Sequence, residues 1–212
     1  MDLSNPIGTV VPSAHGPVLA VLARTDAPLT GRAVAALTEG RVSHARTRQV
    51  LLELVAAGLV SAQDAPPARL YRLNRQHLAA DAVTALAGLR ATLLDRLRAS
   101  CQSWATPARA VWLFGSLARG ESTASSDIDV LVVRPDRVGV DDPNWVEQLA
   151  VFADQVHAWT GNVCELLEYG ESELSSSLDP RVAADVRAHG MTLAGLHPQG
   201  LLRSPRRREP RT

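Results

Sequence analysis

Glycine, serine, arginine and two aspartates crowd into the stretch Leu113–Val133, which reads LFGSLARGESTASSDIDVLVV. Their types and order suit the handling of a nucleoside triphosphate. Gly115 has no Cβ, so the backbone there can approach a phosphate without a side-chain clash. Ser116 offers an N–H and a hydroxyl to phosphate oxygens at the start of a helical turn, where the dipole also favours an anion. In a strand, residues i and i+2 point the same way, so Asp127 and Asp129 should project from one face, about 6–7 Å apart. Two carboxylates so placed can hold Mg²⁺ (or Mn²⁺) while the triphosphate supplies further oxygens. With two metals, one can activate an attacking hydroxyl and the other steady the pyrophosphate leaving group. Ile128 between them points into a core, which explains why it is apolar.

The flanking elements follow from the same stretch. Ala110–Phe114 is a short apolar run suited to a buried strand, Gly115-Ser116 interrupts it, and Leu117–Gly120 follows as a short helical turn. A polar loop, Glu121–Ser126, leads into Asp127-Ile-Asp129, and Val130–Val133 continues as a second apolar strand. The pattern is strand, Gly-Ser turn, short helix, loop, strand. Beyond it, 144–159 reads as a helix, Thr160-Gly161-Asn162 as a turn and 163–169 as a strand. Residues 171–177 and 181–189 read as helices, with Pro180 at a helix start and His189 at a helix end, and 191–196 as a last strand. Asp136, Asp141 and Asp142 are expected in solvent, and the four tryptophans, Trp104, Trp112, Trp145 and Trp159, in packing.

The combined pattern GSLARG…SDIDVLVV resembles the GSxARG…SDxD signature of the DNA polymerase beta-type nucleotidyltransferases, and most of all their small, minimal branch. The resemblance covers about 109–195. It implies that Gly115 and Ser116 hold phosphate, that Arg119 and Gly120 complete the loop with Ser126 before the acids, and that Asp127 and Asp129 bind metal. The family also uses a third carboxylate on a later strand, often as base for the acceptor hydroxyl. The candidate here is Glu165, where the family usually has Asp. Strand alternation puts Glu165 and Glu168 on opposite faces, and Glu168 lies at the strand's exit. The implied activity is transfer of a nucleoside monophosphate from ATP or another nucleoside triphosphate to a hydroxyl of a protein or RNA, as in toxin–antitoxin systems. The alternative is a regulator whose nucleotidyltransferase fold senses nucleotide without turnover.

The first third of the chain has a different signature. Residues 17–23 are apolar and helix-compatible, Thr30 can cap a helix over 31–38, and Ser43 can cap another over 44–57. Val50, Leu51, Leu54 and Val55 give the latter helix an apolar stripe, and Gly58 stops it. Strands over 59–61 and 69–73 flank a polar, proline-bearing loop, as in a hairpin. Three helices and a hairpin, with LTGRAVAALTEGRVSHARTRQVLLELVAAGLV and ARLYRLNRQHL, resemble the winged helix-turn-helix domains of bacterial regulators. That resemblance makes 44–57 a recognition helix with Ser43, His44, Arg46, Thr47 and Arg48 facing DNA, where arginine can pair with guanine or phosphate. Arg69, Arg72 and Arg75 would add phosphate contacts from the wing. Operator symmetry then favours a homodimer.

These readings give an α/β (α+β) protein: a winged helix over 1–77, a linking helix over 78–104, a nucleotidyltransferase fold with a mixed central sheet over 105–200, and a basic disordered tail over 201–212. Leu86, Leu89, Leu93, Leu94 and Leu97 set the helical spacing of the link. An apolar fraction of 46% with 21% charged residues fits a folded globular chain. Residues 1–80 hold eight Arg against five acids and 81–200 nine Arg against sixteen, so a mildly basic segment precedes an acidic one. There is no apolar run long enough to cross a bilayer and no secretion signal, which predicts a cytoplasmic protein without membrane partners. Cys101 and Cys164 lack zinc-ligand spacing and are expected as small packing residues.

Overall fold

The computed structural model describes residues 1–202. They divide into two compact units, one made of Ser4–Thr92 with Asp2, the other running from Leu93 with Met1 and Leu3.

The first unit contains α1 (Ile7–Val10), α2 (His15–Ala23), β1 (Leu29–Thr30), α3 (Gly31–Leu37), α4 (His44–Ala56), β2 (Val60–Ala65), β3 (Ala68–Leu73) and α5 (Ala80–Ala87). α2 buries Val18 through Ala23 without a break, as a helix apolar on all sides must. Both expected N-caps are made: the Thr30 hydroxyl accepts from Ala33 N–H at 3.2 Å and the Ser43 hydroxyl from Arg46 N–H at 3.3 Å. α4 buries Val50, Leu51 and Leu54. The three strands form an antiparallel sheet in the order β1-β3-β2. β1, only two residues long, is too short to show a periodicity and was not expected. The hairpin strands are longer than the sequence predicts, because Asp64 lies opposite Arg69 and pairs with it at 3.3 Å, extending the ladder through residues that read as loop.

The expected single linking helix is two. α5 closes at Gly88, whose N–H bonds back to Thr84 and Ala85 carbonyls, and α6 (Leu89–Gln102) follows at once. The boundary between units falls inside α6, after Thr92. The leucines that read as one stripe serve two cores: Leu86 packs on that of the first unit, Leu93, Leu94 and Leu97 in that of the second.

From α6 the second unit continues with β4 (Ala110–Phe114), α7 (Gly115–Arg119), β5 (Ile128–Arg134), α8 (Pro143–Thr160), β6 (Cys164–Gly170), α9 (Leu174–Ser177), α10 (Pro180–His189), β7 (Met191–Gly195) and α11 (Pro198–Leu201). Its mixed sheet has the order β6-β5-β4-β7, with β5 parallel to β6 and β4 antiparallel to both β5 and β7. The parallel pair needs a crossover, which α8 provides. Both faces of the sheet are covered. Val111, Leu113, Ile128, Val130 and Val132 pack with Leu97, Trp145 and Phe152 on one side; Trp112, Leu131 and Val133 pack with Leu174, Ala183 and Val186 on the other. Covering on both faces is why β4 and β5 read as unbroken apolar runs. Trp104 meets Trp145 and Phe152 edge to face, so the tryptophans are packing residues as expected. Asp142 departs from its solvated reading: it caps α8, accepting from Asn144 and Trp145 N–H groups at 3.0 and 3.1 Å. Of the expected tail, Leu201 closes α11 and Leu202 is buried beside Val186. Residues 203–212 lie outside the described residues.

Candidate active site

Gly115 sits where β4 ends and α7 begins, with φ at +71°. Its neighbour across the sheet decides the residue type. Phe114 pairs with Asp129, and a Cβ added to Gly115 would lie 2.0 Å from Asp129 Oδ2. The glycine is therefore required twice, by its left-handed backbone and by the carboxylate against its Cα. Gly120 ends the turn with φ at +77° and N–H bonds to Leu117 and Ser116 carbonyls. Glu121 N–H then closes the loop on the Ser116 carbonyl at 2.9 Å.

The acids converge from different segments. Asp129 is the second residue of β5 and Asp127 precedes the strand, exposed. On the parallel neighbour, Glu165 stands directly opposite Asp129, so strand pairing brings the third carboxylate to the same face. Burial pushes the Asp129 carboxyl above its ordinary range, the negative charges of Asp127 and Glu165 add to this, Arg119 opposes it, and Asp185 adds a smaller push. Glu168, on the other face, is held by Arg134 Nε at 2.7 Å and Trp145 Nε1 at 3.0 Å, which removes it from the site.

Among the described residues, no three His, Cys, Asp or Glu side chains form a ready metal cage. The donor set nonetheless fits a hard divalent cation that keeps part of its shell for substrate: carboxylate oxygens only, mutually repelling, with Asp129 raised by burial first and by that repulsion second. Mg²⁺ usually takes one or two protein carboxylates together with phosphate oxygens, which is what Asp127 and Asp129 offer.

Two residues that sequence reasoning missed hold the loops. Asp185 on α10 accepts from Gly115 N–H at 2.9 Å and from Arg119 Nη1 at 2.8 Å. The Gly115 backbone, expected to let a phosphate approach closely, thus has its N–H engaged by a carboxylate. Arg119 Nε also bonds Glu121 at 2.9 Å, and these two acids raise the arginine's pKa further. Asn162, buried after α8, donates from its side chain to the Ser126 carbonyl at 2.8 Å, while the Ser126 hydroxyl accepts from Thr123 N–H at 2.8 Å. Ser126 therefore shapes the acidic loop. Neither Asp185 nor Asn162 lies in a local motif, so no sequence signal marked them. Cys101 and Cys164 are free thiols that burial pushes up to about 12, consistent with packing roles.

In the first unit, Ser43, His44, Arg48, Arg69 and Arg72 are exposed, and Arg46 is half-buried with Glu53 at 3.6 Å. Thr47 is fully buried and cannot reach a partner surface, which corrects its assignment. Arg75 is tied to Asp26, Thr84 and the Ala23 carbonyl, so it braces the unit's own fold.

Against this geometry, the nucleotidyltransferase domain family matches residues 94–175. The second unit carries a nucleotidyltransferase domain. The matched segment ends before Asp185. The nucleotidyltransferase domain's loop, both aspartates and Glu165 all lie inside the match. Comparison with curated proteins gives no match. Two solved structures are similar to the chain, each over 49% of it and 73% of the other chain. One, titled "Crystal structure of the toxin-antitoxin with AMP-PNP", is 18% identical with a TM-score of 0.35. The other is a mutant of the toxin-antitoxin MntA-HpeT, 16% identical with a TM-score of 0.36. No helix among the described residues is long and apolar enough to cross a membrane.

Proposed function

We propose that the second unit transfers a nucleoside monophosphate, AMP by preference, from a nucleoside triphosphate to a hydroxyl of a protein or RNA acceptor, in a toxin–antitoxin setting. The observation that carries this is the pairing of Asp129 with Glu165 across β5 and β6, with Gly115 packed against the same carboxylate. The acceptor oxygen attacks the α-phosphorus, the bond to pyrophosphate breaks, and the hydroxyl proton passes to the Glu165 carboxylate. Ser116 and the unengaged N–H groups of Arg119 hold the phosphates, and Gly120 and Ser126 keep the two ends of the loop in shape. Asp127 and Asp129 would hold Mg²⁺ or Mn²⁺, which when bound neutralises phosphate charge and activates the hydroxyl.

For the first unit we propose a winged helix that binds DNA, the chain acting as a cytoplasmic homodimer. Its support is the succession of α2, α3 and α4 followed by the β2–β3 hairpin, with β1 completing one antiparallel sheet, and the exposure of Ser43, His44, Arg48, Arg69 and Arg72. A single mass of one chain by light scattering would remove the dimer.

The test of the nucleotide reading is isothermal titration of ATP with Mg²⁺ into wild type and into the Asp127→Ala/Asp129→Ala double variant. Metal-dependent binding should appear in the first and vanish in the second. Wild type that binds none of the four nucleoside triphosphates ends the reading. Binding without transfer to any protein or RNA acceptor would leave nucleotide sensing as the function.

A further inference from the structure

Asp185 lies ten residues beyond the segment that matches the nucleotidyltransferase domain family, and α10 is an amphipathic helix whose other duty is to bury Ala183 and Val186. Yet both oxygens of its carboxylate are spent on the active-site loop. Oδ2 accepts from Gly115 N–H at 2.9 Å and Oδ1 from Arg119 Nη1 at 2.8 Å. Each bond fixes something different. The first holds the backbone of a residue at φ +71°, the conformation in which Asp129 lies against a bare Cα. The second, with the Glu121 bond to Nε, grips the guanidinium at two of its five N–H positions and, among the described residues, leaves three for another anion.

We propose that Asp185 is a positioning residue for the nucleotide, fixing the Gly115 loop and orienting Arg119 so that its remaining N–H groups are preset for phosphate oxygens. This rests on the nucleotidyltransferase reading of the site. An arginine with free rotamers must be ordered when its ligand arrives; one already gripped loses less on binding. The grip is charge-assisted, so it is stronger than a neutral contact would be. A fourth carboxylate beside Asp127, Asp129 and Glu165 would be out of place in an anion-binding site unless its charge were taken up. Here Arg119 offsets part of it, sharing its one charge between Asp185 and Glu121, and the Asp185 bond is made at an atom that fixes the guanidinium's orientation.

The test uses the full chain and titrates ATP with Mg²⁺ into wild type, Asp185→Asn, Arg119→Ala and the Arg119→Ala/Asp185→Asn double variant, with a thermal melt of each. Asn keeps the volume but can accept at only one of the two positions, and turns an N–H towards the other donor. Kd should rise about tenfold in Asp185→Asn and less than threefold when the same change is made on the Arg119→Ala background, because much of the effect runs through Arg119. The melting midpoint should move by only a few degrees. Asp185→Ser serves in the same cycle if the Asn variant folds poorly. Unchanged affinity in Asp185→Asn overturns the proposal, and so does tighter binding, which would make the carboxylate a competitor of phosphate. An undiminished loss on the Arg119→Ala background, with a matching fall in midpoint, would make Asp185 a structural residue only. Wild type that binds no nucleotide refutes the underlying reading and the proposal with it, a result distinct from all of these.

Discussion

Arg119 and Arg48 carry the same charge under opposite conditions. Arg119 is gripped by Asp185 and Glu121 and stands beside a half-buried aspartate. Arg48, on the exposed side of α4, and Arg72, on β3, make no ion pair among the described residues. A gripped arginine has lost its freedom before any ligand comes, so it suits one small, exactly placed anion. Free arginines suit a long, repeating polyanion that can accept them in many rotamers. On the proposed functions the two units would meet anions differently, each with its own signature in affinity and in salt dependence.

The largest effect should come from breaking the acidic side of the gripped site. Asp129→Asn should weaken transfer by about a thousandfold, measured as label moved from ATP to acceptor at saturating Mg²⁺. It should also raise the melting midpoint of the metal-free protein at neutral pH. The sign follows from the raised Asp129 value. The folded state holds that proton more tightly than the unfolded chain, so stability falls as pH rises from the ordinary aspartate value through the raised one. The same shift makes nucleotide affinity fall on acidification earlier than an ordinary aspartate would; affinity that is flat across that window contradicts it.

Next in size is Glu165→Gln. Transfer should drop about a hundredfold while the Kd for ATP with Mg²⁺ stays within about twofold, since a base for the acceptor proton acts only once the acceptor is present. Equal losses in both measurements would make Glu165 a binding residue.

The smallest effects belong to the free arginines. Arg48→Ala with Arg72→Ala should weaken DNA binding about tenfold and lower the salt slope by about two, roughly one per phosphate contact. Thr47→Val is the internal control. Its buried hydroxyl has no partner among the described residues, so DNA affinity should not change and stability should hold or rise slightly. A loss of DNA affinity in Thr47→Val alone would contradict its placement in the core.

How much of this was legible depended on distance along the chain. The loop from Gly115 to Asp129 carries its chemistry in consecutive residues, so strand, turn and strand could be read directly. Thr47 was legible and misread: positions 47, 50, 51 and 54 share the apolar stripe of α4, and the helical period alone puts Thr47 inside. The extent of β2 and β3 was hidden because polar residues pair across the hairpin as Asp64 and Arg69 do. Asp185 could not be read at all, since its partners are 70 and 66 residues away and only the packing of α10 brings them together.

The parallel pairing of β5 with β6 also bears on when this chemistry can exist during synthesis. A ribosome that has delivered β5 has delivered the loop and both aspartates, but the strand bearing Glu165 arrives only after all of α8, and Asp185 later still. On the proposed mechanism, a nascent chain halted in α8 would have its nucleotide loop with neither Glu165 nor Asp185. Activity would appear late and abruptly, and the last part of the domain to emerge would switch on what the first part encodes.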